Sequence, residues 1–352
     1  MRASVGSVVA DLDRANGAPP ESVADGTTDE AQALLEHLGV IASGEPVQLE
    51  PLSGGVSSDI WLVRRHSDIF VLKRARAQLK VAAEWRAPVN RGAAEAAWLG
   101  YVGAAVPGCT PRVLAADAET YAIALEYVDP SVYRNWKSSL LAGEIDVTMA
   151  GQLGRVLGRI HASSTRTPGL ANRFANQELF ESLRIKPYLL RTADAVPDAR
   201  HAIGVVVDSL RATRRALVHG DLSPKNILVG PGPIIIDAEC ATWGDPAFDA
   251  AFLLTHLALK EIRLMQHATD FRKAARQFED EYLDEVTWEA PADLHDRIMS
   301  ILPALMLARV AGASPVEYLD TAQQRTVHAV EVRAMQSGRP IWDLLAQETG
   351  AH

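Results

Sequence analysis

Residues 217–249 read LVHGDLSPKNILVGPGPIIIDAECATWGDPAFD. An apolar pair leads into His219-Gly220-Asp221, and Asn226 follows Asp221 by five positions. The run Ile234-Ile235-Ile236 then ends in Asp237, with Glu239 two positions on. That run is short, β-branched and bounded by Pro233 and a charge, which predicts a buried strand. The stretch thus sets three carboxylates, one amide and one imidazole around tight turns. Two carboxylates and an amide at this spacing suit a site that handles Mg²⁺ and a triphosphate. Hard magnesium takes oxygen ligands and keeps phosphate oxygens in its shell. A third carboxylate can orient a hydroxyl nucleophile.

The whole chain has 352 residues, enough for one large or two modest domains with substantial cores. A hydrophobic share of 48% is ordinary for a globular protein. A formal net charge of −9 argues against a general binder of nucleic-acid backbones, so no nucleic-acid partner is expected. Cys109 and Cys240 match no metal spacing and point to a reducing compartment without a disulfide framework. No apolar run approaches the length of a membrane span. The first residues carry Asp11 and Asp13 and lack a signal core, so a cytoplasmic protein with no membrane partner is expected.

Upstream, residues 1–28 are rich in Gly, Ala, Ser, Pro and Asp and read as a mobile tail. A candidate strand at 47–52 is followed by Ser53-Gly54-Gly55-Val56-Ser57-Ser58 and by two apolar runs that read as a hairpin. Such a loop can bring backbone N–H groups to phosphates, although it matches neither the P-loop nor the full G-x-G-x-x-G pattern. Lys73 closes the second strand of the hairpin. Further strands are expected at 111–115 and 121–128, and helices at 147–163, 202–211 and 250–259. Residues 164–200 show no clear period. From Phe278 to Glu289 the chain is strongly acidic, which reads as a solvated face or as a collector of cationic substrate.

The ordered set H-G-D-x-x-x-x-N, strand-terminal Asp237, and GDPAFD resembles the protein-kinase-like superfamily, in its aminoglycoside phosphotransferase branch. The resemblance covers roughly residues 45–340. It implies an α+β fold of two lobes. A small antiparallel-sheet lobe over residues 29–128 would bind nucleotide, and a mostly helical lobe over residues 129–345 would carry the catalytic and metal loops. It implies an ATP- and Mg²⁺-dependent kinase acting on a hydroxyl of a small molecule. Asp221 would be the catalytic base or orienter, and Asn226, Asp237 and Glu239 would hold Mg²⁺. Lys73 would bind the α- and β-phosphates, steadied by Glu95 or by its competitor Glu84. Ser53, Gly54, Gly55 and Ser57 would form the phosphate loop. Backbone groups of Glu126 and Val128 would read adenine. His219 and Asp249 would brace the catalytic loop, and His161 would be structural.

For the acceptor, Asp221, Glu239 and Arg309 are the candidate contacts. Ala238 and Glu239 replace the protein-kinase Phe-Gly after the metal-loop aspartate. That D-x-E form is similar to methylthioribose kinases, as is the Trp85-containing connection at 80–91. Asn226 departs from that subgroup. The expected acceptor is therefore a sugar or sugar-like compound, with an aminoglycoside or choline as the alternative. A silent nucleotide-binding module and a metal-dependent hydrolase built on His219, Asp221, Asp237 and Glu239 are the competing classes. The oligomeric state is not readable from the chain.

Overall fold

A computed structural model describes residues 26–52, 58–66, 68–76, 90–339 and 341–349. The glycine loop Ser53, Gly54, Gly55 and Ser57, the alternative partner Glu84, and Trp85 lie outside the described residues. Helix α1 (Gly26–His37) begins within the segment expected to be tail. Strands β1 (Gln48–Pro51), β2 (Ser58–Arg65) and β3 (Asp68–Ala75) follow, then helix α2 (Arg91–Ala105) and strands β4 (Val113–Asp117) and β5 (Ala122–Glu126). These strands make one five-stranded sheet in the order β1-β2-β3-β5-β4, antiparallel throughout. The hairpin register pairs Trp61 with Leu72 and Val63 with Phe70. All four are buried, in a cluster with Leu35 of α1. The sheet's alternation therefore satisfies α1 on one face.

Beyond β5 the chain turns on Asp129, whose carbonyl accepts from Val132 and Tyr133 N–H at 3.0 and 2.9 Å. Helices dominate thereafter. The short strand β6 (Arg134–Asn135) and α3 (Trp136–Leu141) lead to the long α4 (Val147–Thr165). Two short helices, α5 (Leu170–Arg173) and α6 (Gln177–Phe180), precede a ten-residue π-helix, Glu181–Leu190, with Pro187 inside it. Helices α7 (Arg191–Ala195) and α8 (Arg200–Ala212) come next. Three short strands then frame the quoted stretch: β7 (Ala216–Val218), β8 (Ile227–Val229) and β9 (Pro233–Ile235). Strand β10 (Thr242–Gly244) pairs with β7, and α9 (Ala247–Arg263) begins three residues later. Helices α10 (Ala268–Asp284), α11 (Pro291–Ala311), α12 (Thr321–Ser337) and α13 (Ile341–Thr349) complete the order.

Helix α4 buries Met149, Leu153, Leu157 and Ile160 at helical spacing. Its Gly154 is required by contact rather than by conformation. A Cβ there would sit 2.1 Å from the Phe278 carbonyl of α10, so only glycine admits the close approach of the two helices. The largest core runs without a break from Trp98 and Val102 of α2 and Leu125 of β5 into the helices. The sheet and the helical part are therefore held together by apolar packing as well as by the charged contacts described below. Among the described residues no helix is long and apolar enough to cross a membrane.

Candidate active site

Strand β7 delivers His219-Gly220-Asp221 into a turn that the sequence can make because residue 220 is glycine. Gly220 has φ +74°, and a Cβ there would meet the Cys240 carbonyl at 2.6 Å. Asp249, in the first turn of α9, accepts from His219 N–H at 2.6 Å and Gly220 N–H at 2.8 Å. His161 of α4 reaches the same carboxylate and also the hydroxyl of Tyr282 at 2.9 Å. His219 Nδ1 accepts from Asp221 N–H at 3.1 Å, and its Nε2 lies 3.0 Å from the Ile236 carbonyl. Both ring nitrogens are thus engaged in the loop. Burial pushes the His219 pKa down, so the ring is a neutral brace at pH 7.

Asp221 is buried and contacts three polar side chains. Arg184 of the π-helix lies 2.9 Å away, and Lys225, four positions on in the same loop, lies 3.1 Å away. Asn226 Nδ2 donates to the Asp221 side chain at 2.9 Å and to its carbonyl at 3.0 Å. Burial opposes ionisation, but Arg184 and Lys225 outweigh it and hold the Asp221 carboxyl below its ordinary range. Arg184 also donates to the Gly220 carbonyl at 2.5 Å, so it positions backbone and side chain together. The sequence reading missed Arg184 because it falls in the stretch without a 3.6-residue period. It also passed over Lys225, although its place four positions after Asp221 in the same loop was a usable signal.

The second half of the site forms where β3 meets the turn after β9. Lys73 Nζ lies 2.7 Å from Glu95 of α2, 2.5 Å from Asp237 and 3.3 Å from Glu239. Carboxylate oxygens of Glu95, Asp237 and Glu239 lie within 4.8 Å of one another. Burial would lower the lysine, yet the three carboxylates hold it well above its ordinary pKa. Burial pushes Glu95 up to about 7, against the attraction of Lys73. Arg91, fully buried at the start of α2, pairs with Glu239 at 3.0 Å, and Ser58 donates to the same carboxylate at 3.1 Å. Glu239 therefore ties the sheet to the metal-loop turn. Asp237 is the member left open, with a side chain 30% exposed and a φ of +66° that L residues rarely adopt.

That arrangement can be tested for a hard cation by its donors. Asp237 offers an accessible carboxylate. Asn226 points its Nδ2 at Asp221 and leaves its carboxamide oxygen without a hydrogen bond among the described residues. Oxygen donors of this kind fit Mg²⁺. Glu239 stands with Asp237 and Glu95 in one cluster of carboxylates close enough to share an ion, and it also meets Ser58, Lys73 and Arg91. At the end of β5, the Glu126 N–H is taken by the Arg112 carbonyl at 2.9 Å. Val128 makes no backbone hydrogen bond among the described residues. Arg309, at the end of α11, lies 3.2 Å from the Tyr188 hydroxyl and also donates to Ser314.

Much of the acidic run meets basic side chains, while Asp280 and Asp284 stay exposed. Glu281 pairs with Arg155, and Glu285 pairs with Arg159 at 3.0 Å. Glu279 contacts His295 at 2.6 Å, and Glu289 bridges Arg215 and Arg297 at 2.8 and 2.7 Å.

An antiparallel-sheet lobe and a helical remainder, with a catalytic aspartate loop facing a lysine–carboxylate pair, define a kinase-like small-molecule phosphotransferase. The sequence matches the model of the phosphotransferase enzyme family over residues 48–266, more than half of its length, and the chain belongs to that family. An ethanolamine kinase from Plasmodium vivax is similar in fold, with a TM-score of 0.55 at 12% identity, covering 99% of this chain and 94% of that one. A choline kinase from Cryptosporidium parvum gives 0.55 at 12% identity, covering 90% and 99%. A choline/ethanolamine kinase family protein from Mesorhizobium loti is 20% identical, with coverage of 92% and 98% and a TM-score of 0.49. At such identities the likeness is one of fold. No curated protein matches the sequence.

Proposed function

We propose that the chain transfers the γ-phosphate of ATP, with Mg²⁺, to a hydroxyl of a small sugar-like molecule. Residues 29–128 would serve as the nucleotide lobe and residues 129–345 as the acceptor lobe. The observation that carries this reading is the meeting of Lys73 with both Glu95 and Asp237 at 2.7 and 2.5 Å. A sheet lysine and a metal-loop carboxylate from far apart in the chain converge beside Asp221.

Phosphoryl transfer asks a protein for positioning and charge neutralisation more than for covalent chemistry. Lys73 would take the α- and β-phosphates, with Glu95 fixing its ammonium. Asp237 and the Asn226 oxygen would hold Mg²⁺, with Glu239 anchoring the turn that carries Asp237. When bound, the ion would neutralise charge on the phosphate oxygens. Asp221, ionised at neutral pH, would accept and orient the acceptor hydroxyl. Arg184 and Lys225 would fix its carboxylate, and His219 with Asp249 would fix its backbone. A cationic aminoglycoside or choline is the less favoured acceptor, because much of the acidic run that would collect it is engaged by basic side chains.

The test is ATP consumption with Mg²⁺ across a panel of hydroxyl compounds, with product masses recorded. An acceptor heavier by one phosphoryl group supports the proposal. Phosphate released from ATP with no phosphorylated acceptor would instead favour the hydrolase reading.

A further inference from the structure

Helix α9 leaves the catalytic loop carrying Asp249, Phe252, His256 and Lys260 at spacings of three and four, so the four share one face. The face begins at the site: Asp249 holds the backbone before Asp221, and the Phe252 ring lies 5.8 Å from the Arg184 guanidinium. His256 stacks edge-on against Phe252 at 5.2 Å, and Lys260 Nζ lies 4.9 Å from the centre of the Tyr318 ring. Tyr188 links the groups from the opposite side, with Arg184 at 5.3 Å and Arg309 at 5.5 Å from its ring.

Asp221 answers Arg184, but among the described residues no carboxylate pairs with Lys260, His256 or Arg309. Lys260 is 1% exposed, and its side chain makes no hydrogen bond or ion pair among the described residues. His256 is 7% exposed, and its side chain likewise makes no hydrogen bond among them. The Arg309 Nε and the Tyr318 hydroxyl are buried without partners. Glu317, the carboxylate that acts on Lys260, is already bridged by Lys137 at 2.5 Å. Burial and then Lys137 push Lys260 down to about 7. Burial and then Lys260, Arg309, Lys225 and Lys137 push His256 well below its ordinary value. Burying a charge without a partner is expensive, and the expense is removed when an opposite charge arrives.

We propose that the acceptor is an anion: a hydroxyl compound whose carboxylate or phosphate docks on Lys260, His256 and Arg309 while its hydroxyl faces Asp221. This identifies the substrate class of the phosphotransfer site and rests on that reading. Lys260 stands eight positions beyond Phe252, about 12 Å along the helix. Helical side chains lean toward the N-terminus, which here brings the ammonium back toward Asp221. The charges of Lys260 and Arg309 repel choline and aminoglycosides.

The experiment has two arms. In the first, inorganic phosphate is titrated into the Mg²⁺–ADP complex of the wild type, Lys260→Met and Lys260→Arg, and its affinity is read by thermal shift. Phosphate is expected to stabilise the wild type and Lys260→Arg. It should bind Lys260→Met at least about tenfold more weakly, the loss of one charge-assisted contact. No phosphate binding, or equal binding by wild type and Lys260→Met, overturns the proposal. In the second arm, turnover of sugar phosphates and hydroxy acids is compared with their uncharged parents and with choline. Preference for the anions supports the proposal, and the better of the two anion types names the charged group. Preference for the neutral or cationic compounds overturns it while leaving phosphotransfer intact. Lys260-dependent phosphate binding with no acceptor phosphorylated would leave the anion site standing and remove the phosphotransfer reading.

Discussion

Two clusters of buried charge lie on either side of Asp221, and they are built in opposite ways. On the sheet side, Lys73 and Arg91 face Glu95, Asp237 and Glu239, and each cation touches a carboxylate. On the α9 side, Lys260, His256 and Arg309 gather around aromatic rings with no free carboxylate to answer them. A self-neutralised cluster contributes rigidity before any ligand binds. An uncompensated one is held by the surrounding packing at a cost in stability, and its natural complement is a charge that comes from outside.

The largest effect expected is on chemistry at the boundary between the two. Asp221→Ala should cut turnover by roughly 10²–10⁴, the range for a positioned acid or base, while nucleotide still binds. Turnover near the wild-type level would remove Asp221 from the mechanism. Next comes Arg184→Met, which leaves a buried carboxylate short of one partner. Its expected cost is toward the lower end of about 3–5 kcal/mol, since Lys225 remains in place. The sign with pH follows from the Asp221 carboxyl being held below its ordinary 3.8. The pair contributes stability above that value and loses it as pH falls through the folded-state pKa, so the variant's deficit should shrink in acid. The acid limb of the rate profile should also move to higher pH in this variant; an unmoved limb would mean that Arg184 does not tune Asp221.

Asp237→Ala should weaken Mg²⁺-dependent nucleotide binding by roughly 10–100-fold, as loss of a metal-site group does. Titrations with and without magnesium check it, and an unchanged magnesium dependence would place the ion elsewhere. The smallest effect runs the other way. Lys260→Met should raise stability by about 1–2 kcal/mol, a gain of a few degrees in Tm, because an uncompensated ammonium is removed. Lys260 is pushed down to about 7 from an ordinary 10.5. Between those values the unfolded chain alone keeps the proton, so the wild type gains stability as pH rises and the gap to the variant closes. A destabilised Lys260→Met protein would show that the lysine is structural, and the contrast between the clusters would fail.

Legibility followed sequence distance. The loop from Leu217 to Asp249 could be read directly because its groups lie on tight turns within one short stretch, where spacing nearly dictates geometry. Lys73 was readable because it follows the apolar run of a hairpin strand after a glycine loop, although β3 continues past it to Ala75. Arg184 was not, because the π-helix around Pro187 winds with a longer repeat and leaves no 3.6-residue signature. Residues 250–259 read as a core helix, and that apolar character masked His256 and Lys260 as functional candidates. The acidic run from Phe278 to Glu289 offered two readings, solvated face or substrate collector. Glu281, Glu285 and Glu289 answer Arg155, Arg159, Arg215 and Arg297, while Asp280 and Asp284 stay exposed, as on a solvated face.

The sequence by itself determined the fold class and the reaction chemistry, since a catalytic loop, a metal-loop aspartate and a strand lysine are local patterns with local geometry. Only the tertiary structure decided which charges are answered and which are not. Arg184 meets Gly220 from 36 positions away, and Arg309 meets Tyr188 from 121. Burial and pairing are sums over neighbours that the fold alone brings together, so the polarity of the acceptor site cannot be read along the chain.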